Sequence, residues 1–292
     1  MIDASIPDVA GALGWARERI ELAEARILLR RVLGCTAARL VAHPEAPLQD
    51  AEWEEFRQVV TRRASGEPIA YLTGEREFFG YSLVVTPAVL IPRHETELLV
   101  ELAIAHFSGR PKARVLDLGT GSGALAVAIA KELPEPDVTA VDRSREALLV
   151  AMTNAARLRV SVSFVVSDWF SALEGDRFDL IVANPPYVAS ADPHLAEGDV
   201  RFEPQTALVS GPEGLDDIAG IVAHAPYHLE AGGWIFIEHG YDQAHRVRGL
   251  LADAGFAGIA SWRDLGGIER VSGGQWLGRG GARRLDAPQR DS

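Results

Sequence analysis

Of the 292 residues only one, Cys35, is a cysteine. That excludes an internal disulfide and any metal site built from several thiolates; a buried free thiol is the expected role. Basic charge is also scarce. The 29 Lys and Arg are outnumbered by 41 Asp and Glu, a net charge of −12, which argues against gripping nucleic acid directly through many phosphate contacts. No run approaches the ~20 consecutive apolar residues of a membrane span. The start, Met1-Ile2-Asp3-Ala4-Ser5, has no basic segment leading into an apolar one, so a cytoplasmic protein with no membrane contact is expected. No metal ligand set is legible. What remains is 47% hydrophobic and 24% charged, a globular chain long enough for one large domain or two ordinary ones.

The most informative stretch is Asn184-Pro185-Pro186-Tyr187. It follows Phe178-Asp179-Leu180-Ile181-Val182-Ala183, an apolar, β-branched run that reads as a buried parallel strand. Two successive prolines cannot continue the ladder, because neither has an N–H to give. The strand therefore ends at Asn184, at the carboxyl edge of a sheet, where open α/β sheets hold their ligands. The Asn184 side-chain oxygen and the Pro185 carbonyl can together accept both hydrogens of a planar NH2 group. Tyr187 supplies a ring to stack on that plane.

The first third is rich in Ala, Leu, Glu and Arg, with Leu13, Ala16, Ile20, Ala23 and Ile27 at helical spacing, so a small helical bundle is expected. Asp50 is expected to cap a helix from Ala51 to Ala64. His43, alone beside Pro44, reads as a surface residue. Residues 1–75 are read as a helical recognition domain and residues 76–92 as a β-hairpin linker, with Tyr81–Val85 pairing with Val89–Ile91. Residues 93–278 are read as the catalytic domain, and 279–292, polar and basic, as a disordered tail. Phe78, Phe79 and Tyr81 are expected in the core.

In the catalytic half, the strand Ala113–Leu118 runs into Gly119-Thr120-Gly121-Ser122-Gly123 and then a helix from Ala124. A glycine-rich turn between strand and helix lets the backbone approach a ligand closely. A second strand ends in Asp142, about twenty residues on, where an acid binds ribose hydroxyls. A nucleoside-containing cofactor follows. The glycines alone do not choose between a dinucleotide and S-adenosylmethionine. Asp117 tilts the choice, since a carboxylate there repels a pyrophosphate and attracts an ammonium or sulfonium. A third strand, Val162–Val166, leads to Asp168 and Trp169, placed to meet an adenine by its amino group and its face. Strands near Gly232–Glu238, Ile259–Asp264 and Arg270–Leu277 complete the sheet, the last two as an antiparallel edge.

The order of motifs then resembles a known family. Asp117-Leu118-Gly119-Thr120-Gly121-Ser122-Gly123 with Asn184-Pro185-Pro186-Tyr187 is similar to class I amino-methyltransferases. Glu67-Pro68-Ile69-Ala70-Tyr71-Leu72-Thr73-Gly74, Arg76-Glu77-Phe78-Phe79-Gly80, Leu90-Ile91-Pro92-Arg93, Thr96-Glu97, Phe202-Glu203-Pro204 and Gly211-Pro212-Glu213-Gly214-Leu215-Asp216 resemble the HemK/PrmC family of protein-(glutamine-N5) methyltransferases. The likeness runs from about Leu13 to Leu277 and departs at His94, where that family usually has proline. It implies an α/β, Rossmann-like class I methyltransferase fold with a seven-stranded, mostly parallel sheet behind a small amino-terminal helical bundle. It also implies methylation of the glutamine in the Gly-Gly-Gln loop of peptide chain release factors.

By matching position, Asp117, Gly119, Thr120, Gly121, Ser122, Gly123, Asp142, Asp168, Trp169 and Asn184 are expected to bind S-adenosylmethionine. Asn184, Pro185, Pro186 and Tyr187 would hold the glutamine, with Asn184, Pro185 and Tyr187 catalytic. Arg93 is expected either to contact the substrate or to brace the linker. A monomer is expected. The alternatives at this stage are a ribosomal-protein glutamine methyltransferase and, less favoured by the charge, a DNA adenine-N6 methyltransferase. An NAD-dependent oxidoreductase and a non-catalytic adaptor are further ones. Gly273-Gly274-Gln275 spells the expected substrate motif inside the chain itself; a turn at the sheet edge is the plain reading.

Overall fold

A computed structural model describes residues 6–278; the expected tail, 279–292, lies outside the described residues. The chain forms two compact units. One comprises the residues up to Glu75 together with His194–Phe202, and the other comprises Arg76–Pro193 and the residues from Glu203 onward. The inclusion of His194–Phe202 with the helices departs from the division expected from the sequence.

The first unit is built from α1 (Val9–Ala16), α2 (Leu22–Leu33), α3 (Ala37–Ala42), α4 (Asp50–Ala64) and α5 (Ile69–Thr73). Asp8 caps α1 by accepting the Gly11 amide at 2.8 Å, satisfying one of the orphan donors of the first turn. Asp50 is not the cap of α4 but its first residue; Glu52 reaches back to the Gln49 amide at 2.7 Å. The even helical spacing read across Leu13 to Ile27 also fails. The chain breaks between Ala16 and Leu22, which resets the helical phase, so α2 buries Ala25, Leu28 and Leu29 while Ala23 and Ile27 face solvent. Leu28, Leu29, Phe56 and Val60 form the core of this unit, with Trp15 and Trp53 edge to face at 5.1 Å. Cys35 is half-buried at its margin rather than enclosed. Arg63 bridges Glu24 of α2 and Asp199 of the inserted segment, each at 2.9 Å.

The hairpin β1 (Glu75–Phe78) and β2 (Tyr81–Val84) follows, and all of it but Glu75 belongs to the second unit. Its two-residue turn, Phe79-Gly80, holds both φ angles positive, at 49° and 75°, the turn whose twist suits a hairpin. The partner strand expected at Val89–Ile91 does not form. Between Pro87 and Pro92 the chain turns instead, Val89 donating to Thr86 at 3.0 Å, and the Ile91 amide goes to a Glu203 carboxylate oxygen at 3.0 Å. Phe78 is buried in the core, and Phe79 and Tyr81 pack against it.

A short 3-10 turn, His94–Thr96, leads into α6 (Glu97–Phe107). There follow β3 (Arg114–Leu118), α7 (Ala124–Glu132), β4 (Asp137–Asp142), α8 (Arg145–Leu158), β5 (Ser163–Val166) and β6 (Phe178–Ala183). The unit closes with α9 (Asp216–His228), β7 (Leu229–Glu238), α10 (Ala244–Asp253), β8 (Ala257–Arg263) and β9 (Glu269–Trp276). Helices α8 and α9 were not foreseen from the sequence.

The seven-stranded sheet has the order β5-β4-β3-β6-β7-β9-β8. Pairs from β5 to β7 are parallel, and β9 runs antiparallel to both β7 and β8. Side chains alternate across it, as a strand's period of two requires. Val115, Leu180, Val182 and Phe236 enter the core shared with α6 and α7, whereas Leu116, Ile181, Ile235 and Ile237 enter the one shared with α9 and α10. A sheet covered on both faces explains the unbroken apolar runs.

Gly273-Gly274-Gln275 is neither a turn nor an edge. It lies within β9, inside the sheet. A Cβ on Gly273 would sit 2.3 Å from the Ile235 carbonyl oxygen and 2.5 Å from the Phe236 ring. Close strand packing explains that glycine, and the Gln275 amide nitrogen is engaged by the Gly232 carbonyl at 3.0 Å.

Candidate active site

Three strands of the second unit end side by side. The registers Leu118↔Ala183 and Ala183↔Ile237 bring the residues after β3, β6 and the end of β7 to one edge of the sheet. Beyond them lies a cavity of about 320 Å³, walled by 87–90, the Gly119–Ser122 turn, Asp142–Ser144, Ser167–Trp169 and Asn184. Every lining residue belongs to the second unit.

The glycine turn is pinned from behind. The amides of Gly119 and Thr120 both donate to the Val141 carbonyl at 2.9 Å. The Asp142 carboxylate accepts from Gly121 at 2.9 Å and Ser144 at 2.8 Å, which fixes it at the cavity wall with acceptor capacity remaining. Gly119 has φ +71°, and a Cβ there would lie 3.2 Å from the Trp169 ring, so both conformation and contact require glycine. Trp169 itself holds φ at 48°, a conformation disfavoured for a bulky residue and concentrated at ligand sites. Its indole N–H donates to Asp217 at 3.1 Å. Asp168 is exposed at the rim.

Asp117 differs from its simple expectation. It is 1% exposed and does not line the cavity. One oxygen accepts from the Thr120 hydroxyl at 2.6 Å and the Ala126 amide at 3.1 Å, and the other, Oδ1, is buried without a partner. Burial pushes its pKa up to about 7, against those two hydrogen bonds and with the charge of Asp142 adding to the rise. An orphaned carboxylate oxygen behind a glycine turn suits a cationic donor such as an ammonium.

Asn184 donates its Nδ2 to the Thr96 hydroxyl at 3.0 Å, and with Pro186 it lines the cavity. Pro185 is buried behind them. The Tyr187 ring does not line the cavity but packs against the core beneath. Its hydroxyl donates to Glu238 at 3.2 Å, and its pKa is raised by burial and by that carboxylate. Arg93 is engaged by Glu203, whose other oxygen takes the Ile91 amide; this geometry is that of a brace for the linker. His94 is exposed and 3.2 Å from Glu97.

Sequence reasoning missed Glu238, and also Asn154, whose Nδ2 donates to the Ser122 carbonyl of the glycine turn at 2.9 Å. Glu238 was seen only as the end of a strand, although an acid closing Trp234-Ile235-Phe236-Ile237 was a signal in itself. Thr96 had been noted as part of a motif without a role. Among the described residues no cluster of His, Cys, Asp or Glu is placed to hold a metal ion, and no helix is long and apolar enough to cross a membrane.

Residues 11–74 match the PrmC N-terminal domain and residues 94–199 the methyltransferase small domain. A release factor glutamine methyltransferase of Bordetella pertussis is 52% identical over 252 residues, covering 86% of this chain and 93% of that one. That of Escherichia coli is 44% identical over 271 residues, covering 90% and 98%. A methyltransferase structure from Pyrococcus furiosus, at 18% identity, superposes with a TM-score of 0.52 over 75% of this chain and 97% of that one, which supports the class I methyltransferase fold. On sequence and coverage alike, the chain belongs to the family of release factor glutamine methyltransferases.

Proposed function

We propose that the chain methylates the side-chain amide nitrogen of the glutamine in the Gly-Gly-Gln loop of peptide chain release factors, using S-adenosylmethionine. The observation that supports this at the site is the Asn184 amide. With Nδ2 held by Thr96 at 3.0 Å, its oxygen is the atom left to accept from a substrate NH2 in the cavity.

Asn184 and the Pro185 carbonyl are assigned the two amide hydrogens. An amide nitrogen is a weak nucleophile because its lone pair is spread into its carbonyl. Two acceptors fixed in advance favour the geometry in which that lone pair is localised, and orientation of this kind supplies up to ~7–11 kcal/mol in well-aligned systems. Gly119, Thr120, Gly121, Ser122, Gly123, Asp142, Asp168 and Trp169 are assigned to the cofactor, with Asp117 behind the turn for its ammonium group. When bound, S-adenosylmethionine supplies an electrophilic methyl carbon. Tyr187, by its place beneath Asn184, is read as a support for the tetrapeptide; the stacking role expected from the sequence is not the one its position favours. Pro186 forms cavity wall. The helical unit is read as the docking element for the release factor, and the whole as a cytoplasmic monomer with no direct contact to nucleic acid, as its −12 charge favours.

The test is methyl transfer from labelled S-adenosylmethionine to purified release factor and to a version lacking the loop glutamine. Label on the first alone, with Asn184→Ala abolishing transfer while retaining S-adenosylhomocysteine binding, is the expected result. Label on neither, with ribosomal proteins labelled instead, overturns it.

A further inference from the structure

We propose that Gln243 is a positioning residue for methyl transfer. It holds the tetrapeptide backbone at Tyr187 and, through the two prolines, sets where Asn184 and the Pro185 carbonyl meet the substrate amide. The proposal rests on the reading of Asn184 and Pro185 given above.

Gln243 stands immediately before α10, where a side chain ordinarily serves the free amides of its own helix. It does not cap α10. It is 6% exposed, and its side chain reaches the end of β6 instead. Oε1 accepts from the Gly240 amide at 2.8 Å. Nε2 donates toward the carbonyls of Tyr187 at 3.1 Å, Gly214 at 3.2 Å and Glu213 at 3.3 Å. An amide N–H can only donate and a carbonyl can only accept, so these partners settle which end of the Gln243 side chain is which. Turned over, it would set an oxygen against three carbonyls. An apolar side chain of this length would fill the same space; what the amide adds is a fixed direction.

Gly214 forms the other side of the joint. It has φ +71°, and a Cβ there would lie 2.2 Å from the Tyr187 carbonyl oxygen and 2.9 Å from Gln243 Nε2. Only a glycine lets the two backbones share one nitrogen. The motif at 211–216, so far without a chemical role, thereby becomes the surface on which the tetrapeptide is docked. Val188, the next residue along, is tied to the stretch leading into that motif. Its amide donates to the Leu208 carbonyl at 2.8 Å, and its carbonyl accepts from Ser210 at 3.0 Å.

A hold on Tyr187 reaches the chemistry because the link is stiff. Each proline ring fixes its own φ near −65°, so Pro185-Pro186 passes a shift of the Tyr187 carbonyl on to Pro185 rather than absorbing it. The prolines also remove two N–H groups by which the segment could otherwise be tied down. Gln243 reaches in from outside the tetrapeptide to secure it.

The experiment compares wild type, Gln243→Met, Gly214→Ala, the double variant and Arg246→Ala. Gln243→Met fills the space without a donor. Arg246→Ala breaks the surface ion pair by which α10 also holds Glu213, and serves as the control. The readouts are S-adenosylhomocysteine affinity and stoichiometry, and kcat and KM for release factor, with kcat counted per S-adenosylhomocysteine-binding site so that unfolded protein does not contribute. Gln243→Met and Gly214→Ala are expected to lose about 10²-fold in kcat, the scale of a 1 Å misplacement. KM and S-adenosylhomocysteine affinity stay at wild-type values, the signature of an interaction realised only in the transition state. The double variant loses no more than either single one, since both open the same joint. Arg246→Ala keeps wild-type kcat, as expected of an exposed pair. Wild-type kcat per binding site in Gln243→Met overturns the proposal alone. An equal loss in Arg246→Ala, or cofactor affinity falling in step with kcat, also overturns it, because either makes Gln243 a prop for α10 and no more. Failure of the wild type to methylate the loop glutamine instead removes the reading of function beneath it.

Discussion

Two buried acids, Glu238 and Asp117, stand 1% exposed near the ends of β7 and β3, the strands on either side of β6, and both are pushed up to about 7 by burial. For such groups the folded state holds the proton more tightly than the unfolded chain. Their contribution to stability is complete below the ordinary value of 4.5 for Glu238 and is lost as pH rises through about 7. For Glu238 the difference integrates to about 3 kcal/mol by linkage. Thermal unfolding of Glu238→Gln against wild type should therefore show the variant gaining on the wild type from pH 5 to pH 8; a gap that does not change with pH would contradict the burial argument. At this scale the sequence was informative where the backbone itself dictates the chemistry. Pro185 and Pro186 must end a strand, and Gly119 must turn. It was silent where a side chain's meaning depends on a distant partner. Glu238 meets Tyr187 across 51 positions and Glu203 meets Ile91 across 112, and no local pattern announces either.

At the scale of elements, the hairpin β1–β2 is fastened to the cofactor turn by a single side chain. Asn154 of α8 is fully buried; it accepts from the Val84 amide at 2.7 Å and donates to the Val84 and Ser122 carbonyls, each at 2.9 Å. Replacing it by alanine leaves three backbone groups without that partner, the Ser122 carbonyl buried and the two of Val84 half-buried, each worth about 1 kcal/mol. Asn154→Ala is expected to lower stability by about 3 kcal/mol in urea unfolding, and also to weaken S-adenosylhomocysteine binding, since Ser122 belongs to the turn. Normal stability in that variant would show that Asn154 fills space and nothing more. The strands of the sheet were legible because buried β-branched runs are short and bounded, and β6 falls at Phe178–Ala183 as read. The helices of the first unit were legible in kind but not in phase, because a break such as that between α1 and α2 shifts the apolar face without changing composition. Val89–Ile91 reads as strand by residue type, yet with prolines on both sides and the Ile91 amide on the Glu203 carboxylate the chain turns, and Val89 and Leu90 become cavity wall.

For the molecule as a whole, the cofactor should stabilise what the cavity belongs to. S-adenosylhomocysteine at a hundredfold excess over its Kd is expected to add about 2.7 kcal/mol to the second unit, with NADH adding nothing. A rise in melting temperature with NADH alone would revive the dinucleotide reading of the glycines. One feature of the sheet bears on how the protein is made. The last strand of the described chain, β9, does not sit at the margin but between β7 and β8. A ribosome delivers the chain amino end first, so β3 through β8 are out before the strand that joins β7 to β8. Until Trp276 has emerged, β7 is an open edge at Glu238, the acid to which the Tyr187 hydroxyl donates. Methyl transfer is therefore expected from this protein only once synthesis of the sheet is complete, a point that activity of ribosome-bound chains stalled before Glu269 would contradict.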